Sequence, residues 1–181
     1  MNSPGLELND LGFLSNTDEV LQVLWAGYSF NEPFSIFRMA RINMNQYNLF
    51  DFGGIHHLSG FNINGFAQFK NLWNAHFMWD VDSDMVRNTF LRGGPSMLVP
   101  GGMTFMLSVS TNSRKKLAFE MDGFLNQTRE DASSRSGMEF EISYKPISNL
   151  SLSLDPEFSV RKDQLQYVSQ QHMDEHERYI F

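Results

Sequence analysis

The sequence of 181 residues contains no cysteine. This absence excludes a disulfide scaffold, a zinc–thiolate centre and a cysteine nucleophile. Positive charge is also scarce, since 14 Lys and Arg stand against 21 Asp and Glu and give a formal net charge of −7. A surface that binds nucleic acid needs clustered positive charge, so nucleic acid is not an expected partner. The length fits one domain over residues 1–181, with residues 1–19 as a leading segment and no separate second domain.

The chain also lacks a continuous apolar run that could cross a bilayer as a helix, which takes about 20 residues. Its longest stretch free of Asp, Glu, Lys and Arg, residues 93–113, is interrupted by two Gly-Gly pairs and two prolines. Residues 103–111 of that stretch alternate apolar and small polar side chains. This pattern predicts a loop followed by a strand, and the sequence therefore predicts no helical membrane span.

Hydrophobicity instead alternates with a period of two. Between Phe61 and Trp79 the odd positions are almost all apolar, and most of the even positions are polar. Because side chains on a strand alternate between faces, this predicts one long strand with an apolar face and a polar face. A stretch of this length extends to about 60 Å, whereas a strand of a soluble protein has about 5–6 residues. Such a strand can cross a hydrocarbon layer of about 30 Å at a tilt.

The same alternation recurs along the chain, and no window of comparable length has helical periodicity. The sequence therefore predicts an all-β fold, an antiparallel up-and-down meander of about eight long strands with the start of a ninth. The expected strands are residues 20–31, 36–51, 61–80, 85–92, 103–111, 117–126, 137–145 and 150–161, with the ninth at residues 178–181.

Short and long connections between these strands are predicted to alternate. The expected long connections are residues 53–60, 93–102, 127–136 and 162–178. Outer-membrane barrels have short turns at one end and long loops at the other. An even number of strands leaves both ends of the set on the long-loop side, so we interpret the chain as a segment of a larger transmembrane β-barrel.

This interpretation assigns a different solvent to each face of the strands. Polar side chains are expected to line a water-filled lumen: Arg41, Asn43, Asn45, Asn62, Asn64, Gln68, Lys70, Asn74, His76, Glu120, Asp122, Glu139, Glu141, Asp155 and Glu157. Apolar side chains are expected to contact the lipid bilayer: Phe61, Ile63, Phe69, Phe77, Leu150, Leu152 and Leu154. Aromatic residues near strand ends are expected to mark the membrane interface: Tyr28, Trp73, Phe77 and Trp79. The remaining strands of the barrel, or a partner chain, are expected to close the sheet.

Alternation alone does not separate this barrel from a soluble sandwich or a lipocalin-like barrel, in which the apolar face points inward. Such a domain would bind a glycan or a lipid, with Trp25, Trp73 and Trp79 as stacking platforms. The long strands, the polar face rich in Asn, Gln, Ser and acids, and the aromatic residues near strand ends favour the membrane interpretation.

The sequence offers no catalytic residue, cofactor site or metal site, and we do not expect an enzyme. Asp80, Asp82 and Asp84 resemble the start of a calcium loop, but the Gly and Glu that complete such a loop are missing. His56 and His57 are adjacent, so on a strand they would point to opposite faces. Acidic residues on three consecutive strands leave a glycan-hydrolysing enzyme as an alternative, because paired carboxylates can hydrolyse glycosidic bonds.

Four stretches of the chain carry a resemblance to a known family. They are residues 3–14, residues 91–97 with Pro100-Gly101-Gly102, residues 110–115, and residues 150–154 with 166–168. These motifs, which include a loop at Arg92, Gly93, Gly94 and Pro95, resemble the C-terminal outer-membrane barrel module of domain-of-unknown-function family 5916. The resemblance implies an outer-membrane protein of a Gram-negative bacterium, with a sugar-binding-like domain before the barrel, glycans as a partner class, and a barrel that continues past Phe181. It implies no reaction and no catalytic residues.

Overall fold

The computed structural model describes residues 19–87 and 96–163, together with the backbone of residues 169–173 and 176–180. Over these residues the protein is all-β, as predicted, with one 3-10 turn at Arg129–Asp131. No helix among the described residues is long and apolar enough to cross a membrane. The strands are β1 (Val20–Phe30), β2 (Phe37–Phe50), β3 (His56–Phe69), β4 (Asn74–Asp82), β5 (Met85–Arg87), β6 (Met97–Val99), β7 (Gly102–Ser110), β8 (Leu117–Thr128), β9 (Ser133–Ile147), β10 (Leu150–Leu154), β11 (Glu157–Asp163), β12 (Ser169–Met173) and β13 (His176–Ile180).

Nine of these strands form one antiparallel sheet in the order β1-β2-β3-β4-β7-β8-β9-β10, and β11 also pairs with β9. Because β10 pairs with residues 142–147 of β9 and β11 with residues 133–139, the two share one position at the edge of the sheet. From β1 to β10 each strand pairs with the next strand of the sheet along the chain, so the predicted up-and-down meander is confirmed. Among the described residues neither β1 nor the β10–β11 edge has a second partner, and the sheet is open.

The prediction of one strand over residues 61–80 is wrong, because a turn at residues 70–73 divides this stretch into β3 and β4. The Phe69 N–H donates to the Trp73 carbonyl at 2.8 Å, and Leu72 closes the turn with a left-handed φ of 66°. In the hairpin Phe61 pairs with Val81, so odd positions face odd positions across the ladder. The alternation therefore continues through the turn without a change of face, which is why periodicity does not reveal it.

The described parts of the predicted strand over residues 85–92 and of the predicted ninth strand lie outside the main sheet. Residues 85–87 form β5, whose one partner among the described strands is β6, and β4 pairs directly with β7. Residues 178–180 belong to β13, which in the described part of the chain pairs with β12 alone, in a separate two-stranded sheet. The motif residues Arg92, Gly93, Gly94 and Pro95 lie outside the described residues, as does the leading segment except Glu19.

The predicted alternation of short and long connections is also wrong for part of the chain. The connection between β8 and β9 shrinks to residues 129–132, because both strands extend beyond their predicted ends. The connection between β2 and β3 covers only residues 51–55. β4 ends at Asp82 and β7 begins at Gly102, so more residues separate them than the long loop predicted over residues 93–102, and β5 and β6 lie in this stretch.

The ladder registers determine which side chains share a face of the sheet. Apart from local bulges, even-numbered residues of β3, β4, β7 and β8 lie on the same face as odd-numbered residues of β1, β2, β9, β10 and β11. We call this the polar face and the opposite one the apolar face. Five of the seven side chains predicted to contact lipid lie on the apolar face by this register, and the other two, Phe69 and Leu150, pair at the local bulges.

In the central strands β3, β4, β7 and β8 the polar face is the more buried one. On β3 the amide side chain of Asn62 is 9% exposed, whereas the neighbouring Phe61 is 38% exposed. Large side chains of the apolar face are exposed across the sheet, from Leu24 on β1 to Val160 on β11. No large side chain among the described residues is fully buried, so the apolar face encloses no hydrophobic core.

Candidate functional site

The ladders bring the predicted polar side chains onto one face of the sheet. Thirteen of the fifteen lie at polar-face positions: Arg41, Asn43, Asn45, Asn62, Asn64, Gln68, Asn74, His76, Glu120, Asp122, Glu139, Glu141 and Glu157. The other two fall outside the strands, since Lys70 is in the β3–β4 turn and Asp155 lies between β10 and β11. At the turn end of this face, the Gln68 side-chain amide donates to Asn74 Oδ1 at 3.1 Å.

Asparagine side chains form a hydrogen-bonded ladder between β2 and β3. Asn43 Nδ2 donates to Asn64 Oδ1 at 3.0 Å, and Asn45 Nδ2 donates to Asn62 Oδ1 at 3.2 Å. Along β3, Asn64 Nδ2 also donates to Asn62 Oδ1 at 2.7 Å. An amide both donates and accepts hydrogen bonds, so a row of them can satisfy its own members and still offer groups to water. This part of the wall is polar without being charged.

Tyr47 reaches across β3 to a pair of carboxylates that sequence reasoning did not connect with it. Its ring lies over Gly60, where a Cβ would collide with the ring carbons. Its hydroxyl lies 2.7 Å from Asp82 Oδ1 and 3.0 Å from Asp80 Oδ2. The signal in the sequence is a tyrosine at a polar-face position with a glycine directly opposite, but it becomes visible only once the register is known.

A trough of about 760 Å³ lies on the polar face between β2 and β8. Its floor is apolar, because Met78, Met106 and Phe124 lie opposite one another on β4, β7 and β8. Phe66 lies one row away on β3, with its ring 4.7 Å from the His76 ring. Sequence analysis missed this floor, because its members appear as isolated exceptions to the polar pattern of their strands.

The predicted carboxylates form two rows on β8, β9 and β11, on the side of the trough opposite to the asparagine ladder. Glu120 lies opposite Glu141, and Asp122 lies opposite Glu139, which in turn lies opposite Glu157. None of the ion pairs among the described residues includes any of these five. No group of His, Asp or Glu in the described part of the chain has a geometry that could hold a metal ion.

Two of the four aromatic residues predicted near strand ends lie elsewhere. Trp73 is in a turn and Tyr28 is near the end of β1, but Phe77 and Trp79 lie in the middle of β4, so their prediction as strand-end residues is wrong. The division of residues 61–80 into two strands causes this difference. Trp25 is on the polar face and Trp79 on the apolar face, so the tryptophans do not share one stacking platform.

Close backbone packing holds the long connection against the sheet at the Pro100-Gly101-Gly102 motif. A Cβ on Gly101 would collide with backbone atoms of Asp82 and Ser83. The Gly101 N–H donates to Asp84 Oδ1 at 3.0 Å, and the Gly101 carbonyl accepts from the Arg129 N–H at 2.7 Å. The motif therefore joins the base of the β5–β6 connection to the turn between β8 and β9.

Asp51 organises the connection between β2 and β3, at the same end of the sheet. Its Oδ1 accepts from the Ile55 N–H at 2.8 Å, and its Oδ2 lies 3.3 Å from His57 Nε2. The other ring nitrogen of His57 lies 3.3 Å from the Val86 carbonyl on β5. The Ile55 N–H and the His57 imidazole hold the pKa of the Asp51 carboxyl below its ordinary value.

We expect Asp51→Asn to destabilise the folded protein at neutral pH but not in acid. A carboxyl whose pKa is lowered by folding stabilises the folded state while it is ionised, above its ordinary pKa of 3.8. That stabilisation disappears as the pH falls through the lowered folded-state pKa. Urea midpoints at about pH 7, 5 and 3 measure the difference from wild type. Glu32→Gln in the β1–β2 turn is the control, and a difference that grows on acidification would contradict the assignment.

A family model described as "Domain of unknown function (DUF5916)" matches residues 1–181 of the chain. No curated protein and no solved structure matches the chain.

Proposed function

The chain belongs to the family of that model, and we propose that it is a segment of an outer-membrane β-barrel with a transport, anchoring or scaffolding role. The apolar face contacts lipid acyl chains, and the polar face lines a water-filled lumen. No catalytic step is part of the proposal. Its partners are the bilayer and the strands that close the barrel, supplied by a longer chain or a partner chain.

The observation that carries the proposal is the inverted burial of the central strands. Asn62 is 9% exposed while Phe61 beside it is 38% exposed, and no described large side chain is fully buried. In a soluble sandwich or lipocalin-like barrel the apolar face would be the covered one. A barrel in lipid has the opposite arrangement, with apolar residues outside and polar residues inside.

The height of the apolar band supports the same proposal. On β3 the odd positions from Phe61 to Phe69 carry no polar side chain, and on β8 the same holds from Leu117 to Leu125. Each band covers about 27 Å along its strand, or about 20 Å after a tilt of about 40°. The apolar belt of outer-membrane barrels is about 25 Å tall. Ser59 and Gln127 end the two bands at the end of the sheet where the long connection lies.

The open edges of the sheet explain why further strands belong to the proposal. In hydrocarbon each unpaired backbone N–H or C=O costs several kcal/mol, so a membrane-spanning sheet must be closed. The edge at β1 and the edge at β10 and β11 run antiparallel, because the sheet has an even number of strand positions. Strands added between these edges can therefore continue the meander in the same alternating sense.

Fluorescence quenching by lipid distinguishes the two faces residue by residue. The chain has no cysteine, so Phe61→Cys or Asn62→Cys places a single bimane label on one face or the other. In vesicles with nitroxide-labelled acyl chains, we expect strong quenching for Phe61→Cys and weak quenching for Asn62→Cys. Ile63→Cys and Asn64→Cys should repeat the pattern. Equal quenching at all four positions, or protein that carbonate washing removes from the vesicles, would refute the proposal.

A further inference from the structure

The apolar floor of the trough is out of place on a face that is otherwise polar. Met78, Met106 and Phe124 form one continuous row across three neighbouring strands, and Phe66 adjoins it. Met106 is 45% exposed. Apolar surface left in water costs about 25 cal/mol per Å² relative to its burial, and a contiguous concave patch of this kind is typical of a binding site. The floor has the size and shape to receive the hydrophobic part of a ligand.

The charge around the floor is unequal on its two sides. Asp122 precedes Phe124 by two positions on β8, and it continues into the row formed with Glu139 and Glu157. Like charges directly opposite each other on neighbouring strands are destabilising, and these carboxylates have no ion-pair partner among the described residues. Arg41, on the far wall, is four strand spacings from Asp122, or about 19 Å. A cation above the floor is therefore attracted to the β8–β9 side.

The ring of Phe124 already has a cation beside it. The Arg135 guanidinium lies 5.1 Å from the ring centroid, on the side of the row that is away from Asp122. Aromatic faces attract cations, and the contact shows that this ring is placed to do so. Because this guanidinium lies on the side of Phe124 away from Asp122, the attraction for the cation of a ligand comes from Asp122 and Glu139 and not from the ring.

We propose that the trough binds an amphiphilic cation, a molecule with an aromatic or alkyl group joined to an amine. The hydrophobic group packs on Met78, Met106 and Phe124, and the ammonium group lies beside Asp122 and Glu139. The inference rests on the proposed function, because it makes the trough part of the lumen and names the class of solute that the lumen binds. It requires no reaction and no cofactor.

Two small probes of the same length and opposite charge test the proposal. We use 4-phenylbutylamine and 4-phenylbutyrate in equilibrium dialysis against the full-length protein in detergent micelles. The amine is expected to bind at least about tenfold more tightly than the acid, since a difference of 1.4 kcal/mol corresponds to a factor of ten. Weaker binding of the amine than of the acid, or no saturable binding of either, would overturn the proposal.

Substitutions separate the contribution of the floor from that of the carboxylates. Met106→Asn should weaken binding of the amine about fivefold to tenfold by removing part of the apolar floor. Asp122→Asn combined with Glu139→Gln should abolish the preference for the amine and leave the weak binding of both probes equal. Ser153→Asn, at a polar-face position on β10 outside the trough, is the control and should bind as wild type. If the charge preference survived the double substitution, the assignment to these carboxylates would be wrong.

The bimane quenching pattern is recorded on the same protein, so that the two proposals can fail separately. A normal pattern at Phe61→Cys and Asn62→Cys without preference for the amine overturns the ligand assignment alone. Loss of the pattern overturns the lumen assignment itself. If Met106→Asn does not fold, the comparison of the two probes on the wild-type protein still decides the outcome.

Discussion

Leu107→Arg will prevent insertion of the protein into membranes, whereas Ser108→Arg, the next residue on β7, will leave insertion intact. Leu107 lies on the apolar face in the central row, opposite Phe77 on β4 and Gly123 on β8. An arginine on the lipid face near the bilayer midplane costs about 2–4 kcal/mol. Ser108 lies on the polar face opposite Asp122, where an arginine remains in water beside a carboxylate. The measurement is the fraction of protein that resists carbonate extraction and protease after refolding into vesicles.

Leu152→Arg, which places an arginine nearer to the membrane interface, is the control that shows whether lipid causes the effect of Leu107→Arg. Leu152 is also on the apolar face, but it lies close to the two-residue connection between β9 and β10. An arginine near the membrane interface costs only about 0–1 kcal/mol. We therefore expect Leu152→Arg to insert nearly as well as wild type. Equal insertion of the Leu107→Arg and Ser108→Arg variants would contradict the orientation of the sheet.

Gly101→Ala is expected to destabilise the protein by about 2–3 kcal/mol, because the added methyl group meets backbone that has no room to yield. The atoms in its path are the Asp82 carbonyl and the Ser83 carbonyl group. Moving the two segments apart also stretches the bond from the Gly101 N–H to Asp84 and the bond from the Arg129 N–H to the Gly101 carbonyl. Urea unfolding measures the loss of stability, and faster amide exchange in β5 and β6 locates it.

Gly123→Ala provides the matched control for this prediction. Gly123 lies within β8, and the nearest atom to an added Cβ is the Leu107 carbonyl oxygen at 4.0 Å. The methyl group therefore enters free space, and the loss of unfolded-state entropy makes the change neutral or stabilising by up to about 1 kcal/mol. Similar losses for both variants would mean that any alanine replacement weakens the sheet, and the specific role of Gly101 would be lost.

The faces of the sheet could be predicted from the sequence because they follow from the pleat alone. Alternation placed Asn43, Asn64 and Glu120 on one side and Phe61 and Leu152 on the other, and the ladders group them in the same way. The pairing of strands does not follow from the pleat. A tight turn such as that at Leu72 leaves the period unchanged when its register joins odd to odd positions, so a hairpin and a single long strand have the same pattern.

The trough floor and the Tyr47 contacts depend on neighbours that are far apart in the sequence. Met78 and Met106 meet because β4 pairs with β7, although β5 and β6 lie between these two strands in the sequence. The alternation within β4 or within β7 does not indicate that these two strands pair. Tyr47 likewise reaches Asp80 over Gly60, and the contact becomes predictable only after both registers on β3 are fixed.

The asparagine ladder and the carboxylate rows occupy different sectors of one wall, and this separation has an electrostatic consequence. The Asn43–Asn64 pair is uncharged and has Arg41 beside it on β2, while the sector from Asp122 to Glu157 holds a negative potential that no described ion pair neutralises. In the proposed barrel small cations would therefore concentrate along the second sector and chloride would be depleted there. Selectivity for cations would depend on where the acidic residues lie around the barrel wall, and not on a constriction lined by a ring of charges.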